Sequence, residues 1–226
     1  QEQFFKSGTE MPTRRLASQY GDKKVLRYPQ DLFLRTEERS MERKEMKEGP
    51  VIMDAEGMRR TLVRLSHEIE ERCEGFGNVV LVGVKRGGEV IARRLQAIIA
   101  ASGRGEVPCA GLDIAMTRDD LVSAFILPDA EKNDLGFSLD QKTVVLCDDV
   151  LHTGRSAVAG IEALFRLGRP AKIRLLVLVD RGGRELPVRA DFVGKNVPTS
   201  REEYISVRFT ELGQGGDALS ITRREI

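Results

Sequence analysis

The sequence predicts an α/β fold, with a mostly parallel central sheet, helices on both faces and a small cap, or hood. Three observations carry that expectation. Continuous apolar runs at Val79 to Val84 and at TVVLC, residues 143 to 147, each pass through a glycine-bearing loop into a helix-period pattern. A third run, Ile173 to Val179, follows the second helix at once. Apolar strands alternating with helices require right-handed crossovers, and these produce a parallel sheet covered on both sides.

At 226 residues the chain fits one ordinary domain with an appendage. Residues 1–50 are charge-rich and punctuated by Gly8, Pro12, Gly21, Pro29 and Pro50. They read as an N-terminal extension: a mobile tail, an upstream stretch preceding a true start at Met41 or Met46, or a short helical arm around Leu32 to Met46. The domain itself is expected over 51–226. Asp54 is placed to cap a helix whose Met58, Leu62, Leu65 and Ile69 share one face. After the Val79 run, Gly87 and Gly88 open a helix carrying Ile91, Leu95, Ile98 and Ile99. Gly111 to Thr117 can form a strand, and Arg118 to Gln141 reads as a long charged loop. The helix after the TVVLC run, with Val158, Ile161, Leu164 and Phe165, stops at Gly168 before Pro170. From Asp180 onward, strand-like pieces near Asp191 to Gly194 and Tyr204 to Thr210 are expected to build the cap.

Composition narrows the function classes. The formal net charge of +1 gives no whole-molecule argument for a polyanion partner, so any nucleic-acid reading must rest on local clustering. Cys73, Cys109 and Cys147 are odd in number and lack metal-ligand spacing, which argues against a disulfide framework or zinc site and fits a reducing compartment. No apolar run approaches the roughly 20 residues of a spanning helix, and the start has no signal-peptide core. A cytoplasmic protein with no membrane partner is expected.

The chemistry concentrates in VVLCDDVLHTGRS. A buried strand ends in two carboxylates, and a small polar loop then opens a helix. Ligands of parallel sheets bind outside the carboxyl ends of the strands, where Asp148 and Asp149 fall. Paired carboxylates can accept hydrogen bonds from vicinal ribose hydroxyls. Val150, Leu151 and His152 lead into Thr153, Gly154, Arg155 and Ser156, whose backbone N–H groups at a helix N-terminus suit a phosphate. A plain strand-end turn with an ordinary helix cap is the bland alternative. Neither GxxxxGK[ST] nor a GxGxxG after a strand is present, so nucleoside triphosphate hydrolysis and dinucleotide binding lose support.

The ordered pattern resembles the 13-residue signature of the type I phosphoribosyltransferases, which implies that fold and 5-phosphoribosyl 1-diphosphate as donor. From about Val51 onward the chain is similar to the PyrR family of bacterial pyrimidine operon attenuation regulators. The similarity rests on MDAEGMRRTLVRLSHEIEER, LDIAMTRDDL, CDDVLHTGRS, LGRPAKI and DRGGRELPVRADFVGKNVPTS. It implies a uracil phosphoribosyltransferase making UMP and diphosphate, with Mg2+ bound mainly through the donor, that also binds pyrimidine-leader RNA in a UMP-dependent way. A homodimer or higher homo-oligomer is expected.

On that resemblance Lys85, Arg86 and Gly87 would contact the diphosphate. Arg118 and Asp119 would lie at the root of a lid that excludes water. Asp180, Arg181, Lys195 and Asn196 are the polar candidates for the base. The chain departs from the family pattern in three places: Arg86-Gly87-Gly88 stands where Thr-Arg-Gly is usual, His152 where Tyr is usual, and Gly183 where His is usual. His152 is then either a proton-transfer group or a loop spacer. For RNA, Arg60, Arg64 and His67 form a basic ridge at i, i+4 and i+7, with Arg169 in a second cluster that a dimer could merge with it. Such a ridge is also what a solvated helix face looks like. The alternatives kept open are a phosphoribosyltransferase without RNA binding, including one acting on a purine base, and a regulator that has lost turnover.

Overall fold

In a computed structural model of the chain the described residues are 46–114, 133–200 and 202–224. The expectations for residues 1–45, for Arg118 and Asp119, and for most of the long loop lie outside them.

A five-stranded sheet of order β3-β2-β4-β5-β6, parallel throughout, forms the centre. Its strands are β2 (Val79–Val84), β3 (Cys109–Leu112), β4 (Thr143–Leu151), β5 (Lys172–Asp180) and β6 (Phe192–Asn196). Every residue of β2 is buried, as a strand covered on both faces requires. The two-residue alternation sorts the core. Val79, Leu81, Val145 and Cys147 pack with α1 (Ala55–Arg72) and α2 (Gly87–Ala101), whereas Val80, Val82, Val144 and Leu146 pack with α3 (Arg155–Leu167). The Asp54 carboxylate caps α1 by accepting from the Gly57 N–H at 2.7 Å, and Met58, Leu62, Leu65 and Ile69 are fully buried.

The hood is a separate antiparallel sheet of order β1-β8-β7, made of β1 (Met46–Asp54), β7 (Glu203–Arg208) and β8 (Ala218–Arg224). This corrects the expected cap in two respects. One hood strand comes from before α1, and β1 begins at Met46, inside the stretch read as extension. Pro50 is accommodated because β1 is an edge strand whose register shifts between Glu48 and Val51. The piece near Asp191 joins the main sheet as β6 instead of the hood, pairing with β5 from Leu176 to Asp180.

Two further differences are local. Val158 and Phe165 of α3 are 38% and 49% exposed, and the buried face is Ala157, Ala159, Gly160, Ala163 and Leu164. Small residues let α3 lie close to the sheet: a Cβ on Gly160 would come within 2.9 Å of Leu146 Cδ2. Strand β4 does not stop at Cys147; it continues through both aspartates to Leu151, because β5 is long enough to pair with it as far as Asp180.

Candidate functional site

Three loops meet at the carboxyl ends of β2, β4 and β5. The first is the turn Lys85 to Gly88. Its Lys85 N–H donates to Leu112 O at 2.9 Å, which fixes the turn to the end of β3, and the Lys85–Arg86 peptide is cis. Lys85 and Arg86 are exposed, and Gly87 and Gly88 are buried. The glycines serve the protein's own packing: a Cβ on Gly88 would lie 2.2 Å from Cys147 O, and one on Gly87 would lie 2.4 Å from Asp149 Oδ2. The turn therefore rests directly on β4 and on the Asp149 carboxylate. Beside it Lys85, Arg86 and Val90 face Glu211 and Leu212 across a cavity of about 310 Å3.

The second loop is the candidate phosphate cradle. Asp148 is only 7% exposed, and its Oδ1 accepts the Asp149 N–H at 3.0 Å. Asp149 is half-buried and accepts the Val150 N–H at 2.8 Å. After Leu151 the chain turns through His152 and Thr153 to Gly154, whose φ of +94° suits glycine, and α3 begins at Arg155. The first turn of α3 thus presents the backbone groups of Arg155 and Ser156 just beyond the carboxylates. The sequence places the aspartates at the end of the strand and outside the core; the strand is paired past them to Leu151, and Asp148 is in the interior.

The third loop, Asp180 to Val188, lies against the second; within it the sequence singles out Asp180, Arg181 and Gly183 but assigns Arg184 and Glu185 no role. Glu185 and Leu186 donate their N–H groups to Thr153 O, both at 3.0 Å, and the Glu185 carboxylate pairs with Arg155 at 3.1 Å. Arg184 donates to His152 O at 2.8 Å, Val188 O at 3.0 Å and Leu151 O at 3.3 Å, and it pairs with Asp180. One guanidinium with five donors in a fixed fork can hold several carbonyls at once, so Arg184 ties the cradle to this loop. Burial pushes the Asp180 carboxyl up, but the hydrogen bonds from Arg184 and the Gly182 N–H outweigh it and leave the group below its usual range. The only sequence sign of this role was membership of Arg184 in the DRGGREL string.

His152 and Gly183 meet at this junction. Gly183 has φ of +72°, and a Cβ on it would lie 2.9 Å from His152 Nε2. The two departures from the family pattern are therefore spatial neighbours. Burial lowers the imidazole pKa below its usual 6.5, aided by the charges of Arg181 and Arg184 and opposed by Glu185.

The base candidates separate. Arg181 is 7% exposed, donates to Glu203 O at 2.8 Å and stacks 5.7 Å from the Tyr204 ring, so much of its reach is spent joining β5 to the hood. Among the described residues its Nε has no hydrogen-bond partner, nor has the buried hydroxyl of nearby Thr199. Lys195 lines a different cavity, of about 590 Å3, together with Arg60 and Arg64. Asn196 borders a third with Arg72, Asp180 and Arg189.

The basic ridge is likewise only partly assembled. Arg60 is exposed and makes a loose 3.5 Å contact with Glu56. Arg64 pairs with Glu68 and donates to Val193 O at 3.1 Å and Gly194 O at 2.7 Å, joining α1 to β6. His67 Nδ1 lies 3.1 Å from the Arg104 guanidinium, which also binds Glu70 and stacks on Phe76. Arg169 follows α3 and its backbone N–H donates to Asp140, placing it in the layer across the sheet from α1. Lys195 takes its place in the cluster.

Among the described residues no helix is long and apolar enough to cross a membrane. Residues 52–208 match the phosphoribosyl transferase domain family. Among curated proteins, the chain is 49% identical over 172 residues to the bifunctional protein PyrR of Roseiflexus sp., covering 76% of this chain and 94% of that protein. It is 47% identical to that of Clostridioides difficile, covering 78% and 99%, and 48% identical to that of Thermus thermophilus, covering 77% and 96%. Among solved structures the hypoxanthine phosphoribosyltransferase of Trypanosoma cruzi aligns with a TM-score of 0.60 at 19% identity, over 79% of this chain and 98% of that one; at this identity the likeness speaks for the fold. A parallel sheet ending in paired aspartates and a helix N-terminus, matched by sequence over three quarters of its length, makes this chain a member of the phosphoribosyltransferase family, within the bifunctional PyrR proteins.

Proposed function

We propose that this chain transfers the phosphoribosyl group of 5-phosphoribosyl 1-diphosphate to N1 of uracil, and that the UMP-loaded protein binds pyrimidine-leader RNA. The observation that carries the first half is the run from Asp148 and Asp149 into the positive end of α3. The phosphate of the donor would rest on the backbone of Thr153, Gly154, Arg155 and Ser156, and the ribose hydroxyls on the carboxylates. The diphosphate would face Lys85 and Arg86. In the reaction the bond from ribose C1 to the diphosphate oxygen breaks with its electron pair leaving on oxygen. The bond from C1 to N1 forms, and the N1 proton is released. Positive groups at the leaving diphosphate and a fixed ribose supply the catalysis.

The adjacent carboxylates of Asp148 and Asp149 are oxygen donors that would suit a hard divalent ion arriving with the donor. When bound, Mg2+ supplies positive charge to the departing diphosphate. For the base, the Arg181 Nε and the hydroxyl of Thr199, whose backbone N–H donates to Arg181 O at 3.3 Å, offer polar atoms that have no hydrogen-bond partner among the described residues. The test is conversion of uracil, xanthine, guanine and hypoxanthine with the same donor. Turnover of uracil alone supports the reading, and turnover of a purine in its place replaces it with purine salvage.

The RNA half rests on the relatives' designation as bifunctional and on the Arg60, Arg64 and Lys195 cluster. Product in the cradle and RNA on the protein must influence each other equally. A leader hairpin titrated with and without saturating UMP should bind more tightly with UMP. Arg60→Ala should lower the salt slope by about one unit while sparing uracil conversion. Equal affinities with and without UMP leave an enzyme without this regulation.

A further inference from the structure

Arg94 of α2 fastens the loop between β7 and β8. Arg94 Nε donates to Glu211 Oε1 at 2.7 Å and its Nη2 to Glu211 Oε2 at 2.5 Å. The same guanidinium reaches Asp217 at 2.6 Å and 2.9 Å, and lies 5.3 Å from the ring centre of buried Phe209. Asp217 in turn accepts from the Thr210 N–H at 2.8 Å and its hydroxyl at 2.9 Å. Both ends of the Thr210 to Asp217 segment are thereby fastened. Hydrogen bonding from Arg94 is the largest influence on both carboxyls; it holds Glu211 below its usual range and Asp217 at about 2, so both remain charged at neutral pH.

Glu211 also forms a wall of the cavity that Lys85 and Arg86 face, so an anion entering there meets those two cations, the Glu89–Arg93 pair and the Glu211 carboxylate. An unheld carboxylate would repel the anion or take one of those cations for itself. Glu89 and Arg93, on the same rim, pair with each other at 2.7 Å, so Glu211 is the carboxylate whose control decides the field. Arg94 occupies both oxygens of Glu211 without itself lining the cavity.

We propose that Arg94 is a positioning residue for the diphosphate end of the site, holding the hood loop as the far wall and keeping Glu211 from competing with the anion for Lys85 and Arg86. The proposal rests on the phosphoribosyl-transfer reading above, and it makes a statement about anion binding that can be measured without turnover.

The experiment compares wild type, Arg94→Gln, Glu211→Gln and the double variant. It reads KM for the donor, KM for uracil, and affinity for inorganic diphosphate with Mg2+ by calorimetry. Arg94→Gln should weaken diphosphate and raise the donor KM about tenfold while leaving the uracil KM within about twofold. Adding Glu211→Gln should recover most of that loss, since it removes the released carboxylate. A merely structural arginine predicts the reverse, with the second substitution adding to the damage. Unchanged diphosphate affinity in Arg94→Gln, or a further loss in the double variant, overturns the proposal. Should Arg94→Gln not fold, Arg94→Lys should show the same sign at about threefold, again recovered by Glu211→Gln, and no loss there is equally fatal. If wild type converts no base, the transfer reading falls, and the diphosphate titrations still decide the role of Arg94.

Discussion

Asp148 and Asp149 are neighbours in sequence with different surroundings, so their substitutions separate function from stability. Asp149 is half-buried against the Lys85 to Gly88 turn, and Asp149→Asn should lower kcat about a hundredfold while moving the melting temperature little. Asp148 is interior, and Asp148→Asn should cost stability as well, about 1 to 3 kcal/mol by chemical denaturation. Gly183 admits a second comparison. Gly183→Ala combines left-handed strain with contact on His152, whereas Gly182→Ala, at φ of +75° with open space around its Cβ, carries the strain alone. Gly182→Ala should cost about 1 to 2 kcal/mol, and Gly183→Ala measurably more. Equal losses would show that the imidazole moves aside freely. His152 also has a pH consequence. The folded protein binds the imidazole proton less readily than the unfolded chain, so this contribution is complete above the unfolded-state pKa near 6.5 and is lost as pH falls below it. Denaturation between about pH 5 and 7.5 should show a shallower slope for His152→Asn than for wild type. An unchanged slope would mean that the groups facing the ring, Arg181, Arg184 and Glu185, do not perturb it in solution.

At the scale of elements, two helices approach the sheet through glycines whose neighbours differ in kind. The start of α2 meets backbone: a Cβ at Gly88 would sit 2.2 Å from Cys147 O, and β4 cannot retreat without breaking its pairing with β2 and β5. Gly88→Ala should therefore cost about 3 kcal/mol or more and distort the turn carrying Lys85 and Arg86. In α3 the neighbour of Gly160 is the tip of the Leu146 side chain, which can change rotamer. There the helix-propensity gain of alanine, about 1 kcal/mol, works against the crowding, and Gly160→Ala should stay within about 1 kcal/mol of wild type. A circular-dichroism melt of the two variants side by side is sufficient. The reverse order would mean that the sheet, not its side chains, yields.

For the molecule as a whole, the position of β1 makes the N-terminal segment testable. Because β1 starts at Met46 and pairs with β8 up to Asp54, deletion of residues 1–45 should leave the melting temperature within about 2 °C of the full chain and uracil conversion intact. Extending the deletion through Val51 removes six of the nine residues of an edge strand from a three-stranded hood and should lower the melting temperature by several degrees, about 4 °C or more. A large loss in the shorter deletion would assign the first 45 residues a structural role. The hood and the sheet share a core through Met53, Phe209 and Leu219, so damage to β1 should also reach donor binding.

The linear order of residues determined the parallel sheet, the helix capped by Asp54 and the cradle from Asp148 to Ser156, because each is local: apolar period, capping side chain and strand-to-helix turn all lie within about a dozen residues. Tertiary structure alone decided that β1 closes the hood, that β6 belongs to the main sheet and that β4 runs on past its aspartates, since strand membership is settled by partners distant in sequence. The same reason explains the site. Lys85 and Arg86 were legible as a turn, but their opposition to Glu211 depends on a segment 125 positions later, brought there by Arg94. His152 and Gly183 looked like two unrelated departures until the packing of one loop on another put the imidazole where a side chain at 183 would stand. Charge spacing on α1 suggested a ridge, yet which cations stay free depends on the carbonyls of β6 and on Arg104, groups that no periodicity in α1 encodes.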